Sequence, residues 1–267
     1  MALNTILSIG SEADKADTLL LETGPDHCCC GMLDHPSKTF KSIQYFSFDE
    51  LEGEQAMISI LDQMPQQQFE KVLVCSTWEQ ALLFPNNLFR GNFSILDAVY
   101  DLAGQAYFSD AIGEWQMVAA YALPQSVHSA LSGRFPNAEF IHAYTPPLKI
   151  YNGFVATDQI DLHFSTQRFR VLVKKDSAVM LAQTYSYRTP LDVVYYLLKL
   201  CYEFGLDQKE VFLVISGLVE KESALYDELH NYFLNLHFAQ PHHYHLPEEK
   251  HPHYYFASLY NLAACVS

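Results

Sequence analysis

Positive charge is scarce in this 267-residue chain: 16 Lys and Arg stand against 31 Asp and Glu, for a formal net charge of −15. A surface of that sign repels phosphate backbones and anionic headgroups, so nucleic acid and anionic membrane surfaces are excluded as main ligands. Lys174-Lys175 is the densest basic spot. Charge of either sign is also sparse, at 18% against 49% hydrophobic residues, which excludes global disorder and supplies a sizeable core. Long apolar runs are missing. "VFLVISGLV" and "DVVYYLLKLC" stop well short of the roughly 18 residues that span a bilayer. The opening "MALNTILSIGSEADKADT" has no basic start and too short an apolar run for a signal peptide. A disulfide framework is missing too: Cys28, Cys29 and Cys30 are contiguous, and Cys75, Cys201 and Cys265 are scattered. These absences lead to the expectation of a cytoplasmic protein with no membrane span.

What is present is an alternation of strand and helix signals. The length suits one large domain or two modest ones, at roughly 150 residues each. "TILSIG", "DTLLLE", "HCCCGML" and "SIQYFSF" read as short strands between turns. "FDELEGEQAMISILDQM" has helical spacing, with Leu51, Met57, Ile60 and Leu61 on one face. "KVLVCST" suits a buried strand, with "QALLFP" as a pairing partner. A helical region around "SILDAVYDLAG" precedes the strand "QMVAAYAL", the helix "PQSVHSALSGRF" and the strand "AEFIHAY". After a connector the pattern restarts with the strands "QIDLHFST", "FRVLVKKD" and "AVMLAQTYSY". "TPLDVVYYLLKLCYEFG" is a strongly marked helix: Thr189 caps it, Pro190 suits its first position and Gly205 closes it. "EVFLVIS", the helix "ESALYDELHNYFL", the strand "NLHFAQ" and a final helix in "YYFASLYNLAACV" complete the order. Strand-strand-strand-helix-strand-helix-strand thus occurs about twice, predicting mixed α/β lobes with antiparallel edges on partly parallel sheets.

Several clusters could carry chemistry. The segment "LHFAQPHHYHLPEEKHPHYY" holds six of the 12 histidines. On a strand His243 and His245 would share a side, and Glu248 or Glu249 could complete a metal site. A solvated connector explains the same residues, and the prolines with no cysteine partner oppose a zinc finger. In "HCCCG" adjacent residues point to opposite faces, so only Cys28 and Cys30 could cooperate; a buried strand of small polarisable residues is the simpler account. There is no G-x-x-x-x-G-K-[ST] loop and no G-x-S-x-G elbow, so Ser216 lacks the surroundings of a nucleophile. The 35 Tyr and Phe, in runs such as "YYLL", suit a protein interface or self-association.

The doubled order resembles the superfamily of acetate and sugar kinases, heat-shock chaperones and actin, a duplicated ribonuclease-H-like fold. In that superfamily two lobes close on ATP. Each lobe opens with a β-hairpin whose turn carries an Asp-x-Gly phosphate loop, and a strand-to-helix turn in the second lobe carries a Gly-Gly pair against adenosine. The resemblance puts the first phosphate loop in "LSIGSEADKADTLLL", where Gly10 matches and Ser8 replaces the acid. It puts the second in "IDLHFSTQRFRVLV", where Asp161 matches and His163 replaces the glycine. The adenosine turn falls in "LVISGLVEKESALYDEL", where Gly217 matches and Ser216 replaces the first glycine. The layout is most similar to the actin-like proteins of type IV pilus assembly. The segments "PNNLF", "FPNAEFIHAYTPPL", "TPLDVVYYLL" and "LVISGLVEKESALYDELHNYF" are similar to an uncharacterised bacterial family known as domain of unknown function 3822, which implies the fold and no activity.

The departures have physical consequences. A serine hydroxyl cannot supply the carboxylate charge that orients Mg²⁺ and its waters. A histidine ring at a glycine position blocks the approach of phosphate to backbone N–H groups. The expectation is therefore a mixed α/β, two-lobed actin-like fold, with residues 1–156 as the first lobe and 157–267 as the second. A helix over about 252–264 would pack back on the first. Ser8, Gly10, Asp161, Ser216 and Gly217 would line a degenerate nucleotide cleft. The expected function is a non-catalytic binding or scaffold protein with a protein partner or a second copy, and no bound cofactor or metal. The alternative is an ATP-binding protein, an ATPase or a small-molecule kinase with altered loops, using ATP and Mg²⁺.

Overall fold

The computed structural model describes residues 3–11, 15–64, 67–150, 157–240, 243–248 and 250–266. Contacts group the chain into two compact units. Unit 1 comprises Met1–Ile150, His242–His251 and Leu259–Ser267; unit 2 comprises Tyr151–Pro241 and Pro252–Ser258.

Unit 1 is built on β1 (Asn4–Gly10), β2 (Thr18–Thr23), β3 (His27–Asp34), β4 (Thr39–Ser47), β5 (Lys71–Ser76) and β9 (Ala138–His142). They form one six-stranded sheet in the order β1-β4-β3-β2-β5-β9. β2 is central, antiparallel to β3 and parallel to β5, and β5 is parallel to β9. All six residues of β2 are buried. The unbroken Leu19-Leu20-Leu21 run suits a strand covered on both faces. The expected β1–β2 hairpin does not form: β1 pairs with β4, and the opening hairpin of the unit is β2–β3.

The helix α1 (Gly53–Gln63) buries Ala56, Met57, Ile60 and Leu61 and packs on α3 (Gln125–Arg134). Leu51, expected on that buried face, is instead 96% exposed in a 3-10 turn before the helix. A second, three-stranded sheet is inserted between β5 and α3. It consists of β6 (Ala81–Pro85), β7 (Gln105–Ile112) and β8 (Met117–Pro124) in the order β6-β8-β7. β6 therefore pairs with β8 rather than with β5, and the helix expected around residues 94–104 shortens to α2 (Ser94–Asp97). α4 (Pro146–Lys149) follows β9.

Unit 2 has one five-stranded sheet in the order β12-β11-β10-β13-β14. Its strands are β10 (Asp158–Phe164), β11 (Arg168–Lys175), β12 (Ala178–Ser186), β13 (Phe212–Gly217) and β14 (Asn235–Phe238). β10 is antiparallel to β11 and parallel to β13, repeating the pairing of β2 with β3 and β5. The helices α5 (Pro190–Phe204) and α6 (Ala224–Tyr232) close a core that includes Ile160, Leu162, Val171, Val193, Leu197, Leu213, Ile215 and Leu229. Thr189 forms a capping box with Asp192, Pro190 opens the helix, and Gly205 closes it at φ 61°. The last helix, α7 (Ala257–Ala263), follows a 3-10 turn over His253–Phe256.

Candidate functional site

The two hairpins that begin the parallel core of each unit define where a phosphate loop would lie. In unit 1 the turn between β2 and β3 spans Gly24, Pro25 and Asp26, and all three are buried. The dipeptide Gly-Pro punctuates the strand there. The Gly24 N–H donates to the His27 carbonyl at 3.0 Å, and the Thr77 N–H donates to the Thr23 carbonyl at 2.8 Å. A Cβ on Gly24 would lie 2.1 Å from the Thr77 hydroxyl and 3.1 Å from the His27 ring. A Cβ on Gly53 would lie 2.3 Å from the Pro25 carbonyl oxygen, so the N-terminus of α1 presses on the same turn. The turn is closed over by its own unit.

Beneath it lies a charged cluster that the sequence did not single out. His27 Nδ1–H donates to Asp26 at 2.8 Å and Nε2–H to Glu22 at 3.1 Å, and all three side chains are buried. The ring stacks on Tyr45 with centroids 5.4 Å apart and planes 3° from parallel. Burial opposes the imidazolium, but the two carboxylates outweigh it and push the histidine up to about 9. A second buried carboxylate, Asp110, accepts from the His142 N–H and the Thr145 hydroxyl, each at 2.7 Å. Burial pushes it up to about 6, against those hydrogen bonds. In the sequence Glu22 and Asp26 stand in "ETGPDH", which reads as a turn, and Asp110 stands in a stretch without a strand signal.

In unit 2 the equivalent turn is Ser165-Thr166-Gln167, with neither glycine nor carboxylate. The Ser165 N–H and hydroxyl both donate to the Arg168 carbonyl, at 2.9 and 3.1 Å. Asp161 and His163 are not in this turn. They sit inside β10, opposite Leu172 and Arg170 of β11. Asp161 pairs with Lys174 at 2.7 Å and accepts from Gln159 at 2.5 Å.

His163 meets Ser216 across the parallel β10–β13 ladder. Ser216 Oγ donates to the Leu162 carbonyl at 3.0 Å and lies 3.0 Å from His163 Nδ1. Gly217 follows at φ 83°, and a Cβ there would lie 2.1 Å from the Phe164 carbonyl oxygen. That carbonyl also accepts from the Leu218 N–H at 2.8 Å. Gly217 is thus fixed by close backbone contact with Phe164.

Ser8 and Gly10 lie exposed on the edge strand β1, opposite Gln44 and Ser42. Gly10, at φ 76°, packs on the Lys41 carbonyl. They belong to unit 1, and Asp161, Ser216 and Gly217 belong to unit 2. The assignment of the first phosphate loop to Ser8–Gly10 is corrected by the strand pairing: the opening turn of unit 1 lies at residues 24–26.

His243 and His245 are not on a strand. The His245 N–H donates to the Lys38 carbonyl at 2.9 Å, tying the segment to β4 by a single bridge to Thr39. Glu249 lies outside the described residues, and Glu248 is paired with Lys250. Among the described residues no group of three His, Cys, Asp or Glu side chains is arranged to hold a metal. Cys28, Cys29 and Cys30 are buried free thiols, with the Cys28 and Cys30 sulfurs 3.8 Å apart. The Cys30 hydrogen bond and burial push the Cys28 thiol well up, and burial does the same to Cys29, so neither supplies a thiolate.

Solved structures share this architecture at low identity. A Bacteroides thetaiotaomicron protein with an actin-like ATPase fold and unknown function aligns over 93% of this chain and 95% of its own, with a TM-score of 0.77 and 13% identity. A chain of the PilM-PilN type IV pilus biogenesis complex aligns over 94% and 98%, with a TM-score of 0.64 and 9% identity. The mixed α/β architecture is therefore the actin-like fold. No curated protein matches the sequence. The profile of one family, described as protein of unknown function (DUF3822), matches residues 9–236, and the chain belongs to that family.

Proposed function

We propose that this protein is a non-catalytic binding or scaffold protein of the cytoplasm, which uses the actin-like fold for protein contacts and does not turn over ATP. The observation that carries this is the unit 1 hairpin turn. The Gly24 N–H is already taken by the His27 carbonyl, a Cβ on Gly24 would strike the Thr77 hydroxyl, and the nearby carboxylates Glu22 and Asp26 are engaged by His27. A Mg²⁺–triphosphate needs open backbone N–H groups and a carboxylate free to orient metal-bound water. The unit 2 turn offers no carboxylate of its own, and Asp161 is held by Lys174. The residues present therefore do not fit a triphosphate at either turn. No helix among the described residues is long and apolar enough to cross a membrane. PilM, of similar fold, occurs in a protein complex with PilN, which supports reading such a fold as a platform for protein contacts.

The test is thermal unfolding with and without millimolar Mg-ATP or Mg-ADP. A ligand at 100 times its dissociation constant stabilises by about 2.7 kcal/mol, a readily visible shift. The expected result is no shift with either nucleotide. A shift of the parent chain with either nucleotide would establish the alternative, an ATP-binding protein with altered loops.

A further inference from the structure

The outward face of α5 carries an apolar stripe that its own unit covers only at Leu198. Leu191 is 57% exposed, Tyr195 62% and Tyr202 92%, and Leu198 between them is half-buried. Their spacing of four, three and four residues is the a/d seam of a coiled coil, with Leu191 and Leu198 at d and Tyr195 and Tyr202 at a. The buried face of the helix is made of Val193, Val194, Leu197, Leu200 and Cys201. At about 100° per residue, the stripe centres about 130° from that face, and it meets the core only along the Leu198 side.

We infer that this stripe pairs with the same stripe of a second copy, as an antiparallel α5–α5 contact about a two-fold axis. Three observations select this occupant. An antiparallel seam matches a with d of the partner, so Tyr195 meets Leu198 and Tyr202 meets Leu191, filling every layer with one large and one smaller side chain. The flanking e positions are Asp192 and Lys199, which antiparallel packing brings together twice. A parallel pair would instead set each e position beside a g position, Val194 or Cys201, which carries no charge and is buried in the unit 2 core. Finally, the core face of α5 is turned away from the seam, so the sheets of the two unit 2 copies extend apart and do not compete for the contact.

The inference rests on the proposed role in protein contacts, but its test is separate. The full chain is followed by sedimentation equilibrium across the micromolar range. The expected result is a reversible monomer–dimer equilibrium, weakened at least about tenfold by Tyr195→Glu, by Tyr202→Glu and by Lys199→Glu. Tyr202 is almost fully exposed, so Tyr202→Glu should keep the circular dichroism and melting temperature of the parent chain. Under mild oxidation, Leu191→Cys with Tyr202→Cys in one chain should give a covalent dimer, and Tyr202→Cys alone should not. A monomer at every concentration would overturn the inference, leaving the stripe to a different protein. So would a dimer insensitive to both glutamate changes at tyrosine, or a covalent dimer from Tyr202→Cys alone. A nucleotide-induced thermal shift in a chain that still dimerises would remove the proposed function and leave this contact standing.

Discussion

Two glycines of unit 2 show how one conformation serves two purposes. Gly205 and Gly217 both hold left-handed backbone, at φ 61° and 83°. A Cβ at Gly205 would meet only the Lys175 ammonium at 3.5 Å, whereas one at Gly217 would strike the Phe164 carbonyl. Gly205→Ala is expected to cost about 1 kcal/mol in urea unfolding, and Gly217→Ala at least about 3 kcal/mol, because the clash adds to the conformational cost. Equal losses at the two sites would remove the close-contact explanation of Gly217. Gly217 was legible because an apolar strand ends there and a helix pattern begins. The Glu22–Asp26–His27 cluster was not, since "ETGPDH" reads equally well as a solvated turn. Its signature is in pH. The folded pKa of His27, about 9, lies above the ordinary 6.5, so its contribution is complete below pH 6.5 and is lost as pH rises through 9. The stability difference between the parent chain and His27→Gln should shrink by about 3 kcal/mol between pH 6 and pH 10. A pH-independent difference would show that His27 is neutral in the fold.

At the scale of elements, legibility followed the range of the interactions that fix each one. The helix α5 was readable in full because Thr189, Pro190, Asp192 and Gly205 act within one turn of its ends. Its N-cap hydroxyl receives the Asp192 N–H at 3.3 Å while Asp192 accepts the Thr189 N–H at 2.8 Å. Thr189→Ala should lower stability by about 1 kcal/mol, measured by the denaturant midpoint at constant slope. The inserted β6-β8-β7 sheet was not readable. β6 follows β5 closely and is just as apolar, yet it pairs with β8, more than thirty residues later. β7 escaped notice because its residues alternate weakly, with only Asp110 and Ile112 buried. The displaced phosphate loop has the same origin. "TILSIG" and "DTLLLE" look like a hairpin locally, and only the long-range pairing of β1 with β4 separates them.

For the whole molecule, the doubled order of elements carried the fold, since each unit repeats a hairpin joined to parallel strands. The return of the last residues to unit 1 is anchored in particular side chains. Tyr260 is buried, with Phe40 and Tyr244 rings each 5.9 Å away, and a Cβ on Gly31 would lie 3.3 Å from Leu259. Tyr260→Ala should cost about 3–5 kcal/mol and raise hydrogen exchange along β3 and β4. Unchanged protection there would show that the final helix is dispensable to unit 1. This closure also sets an order in time. During synthesis the surface around Gly31 and Phe40 leaves the ribosome more than two hundred residues before the side chains that cover it. Unit 2 has its strands and both its helices available before then. Unit 1 must therefore wait, with an apolar face open to chaperones or to misassociation, until Leu259 and Tyr260 arrive.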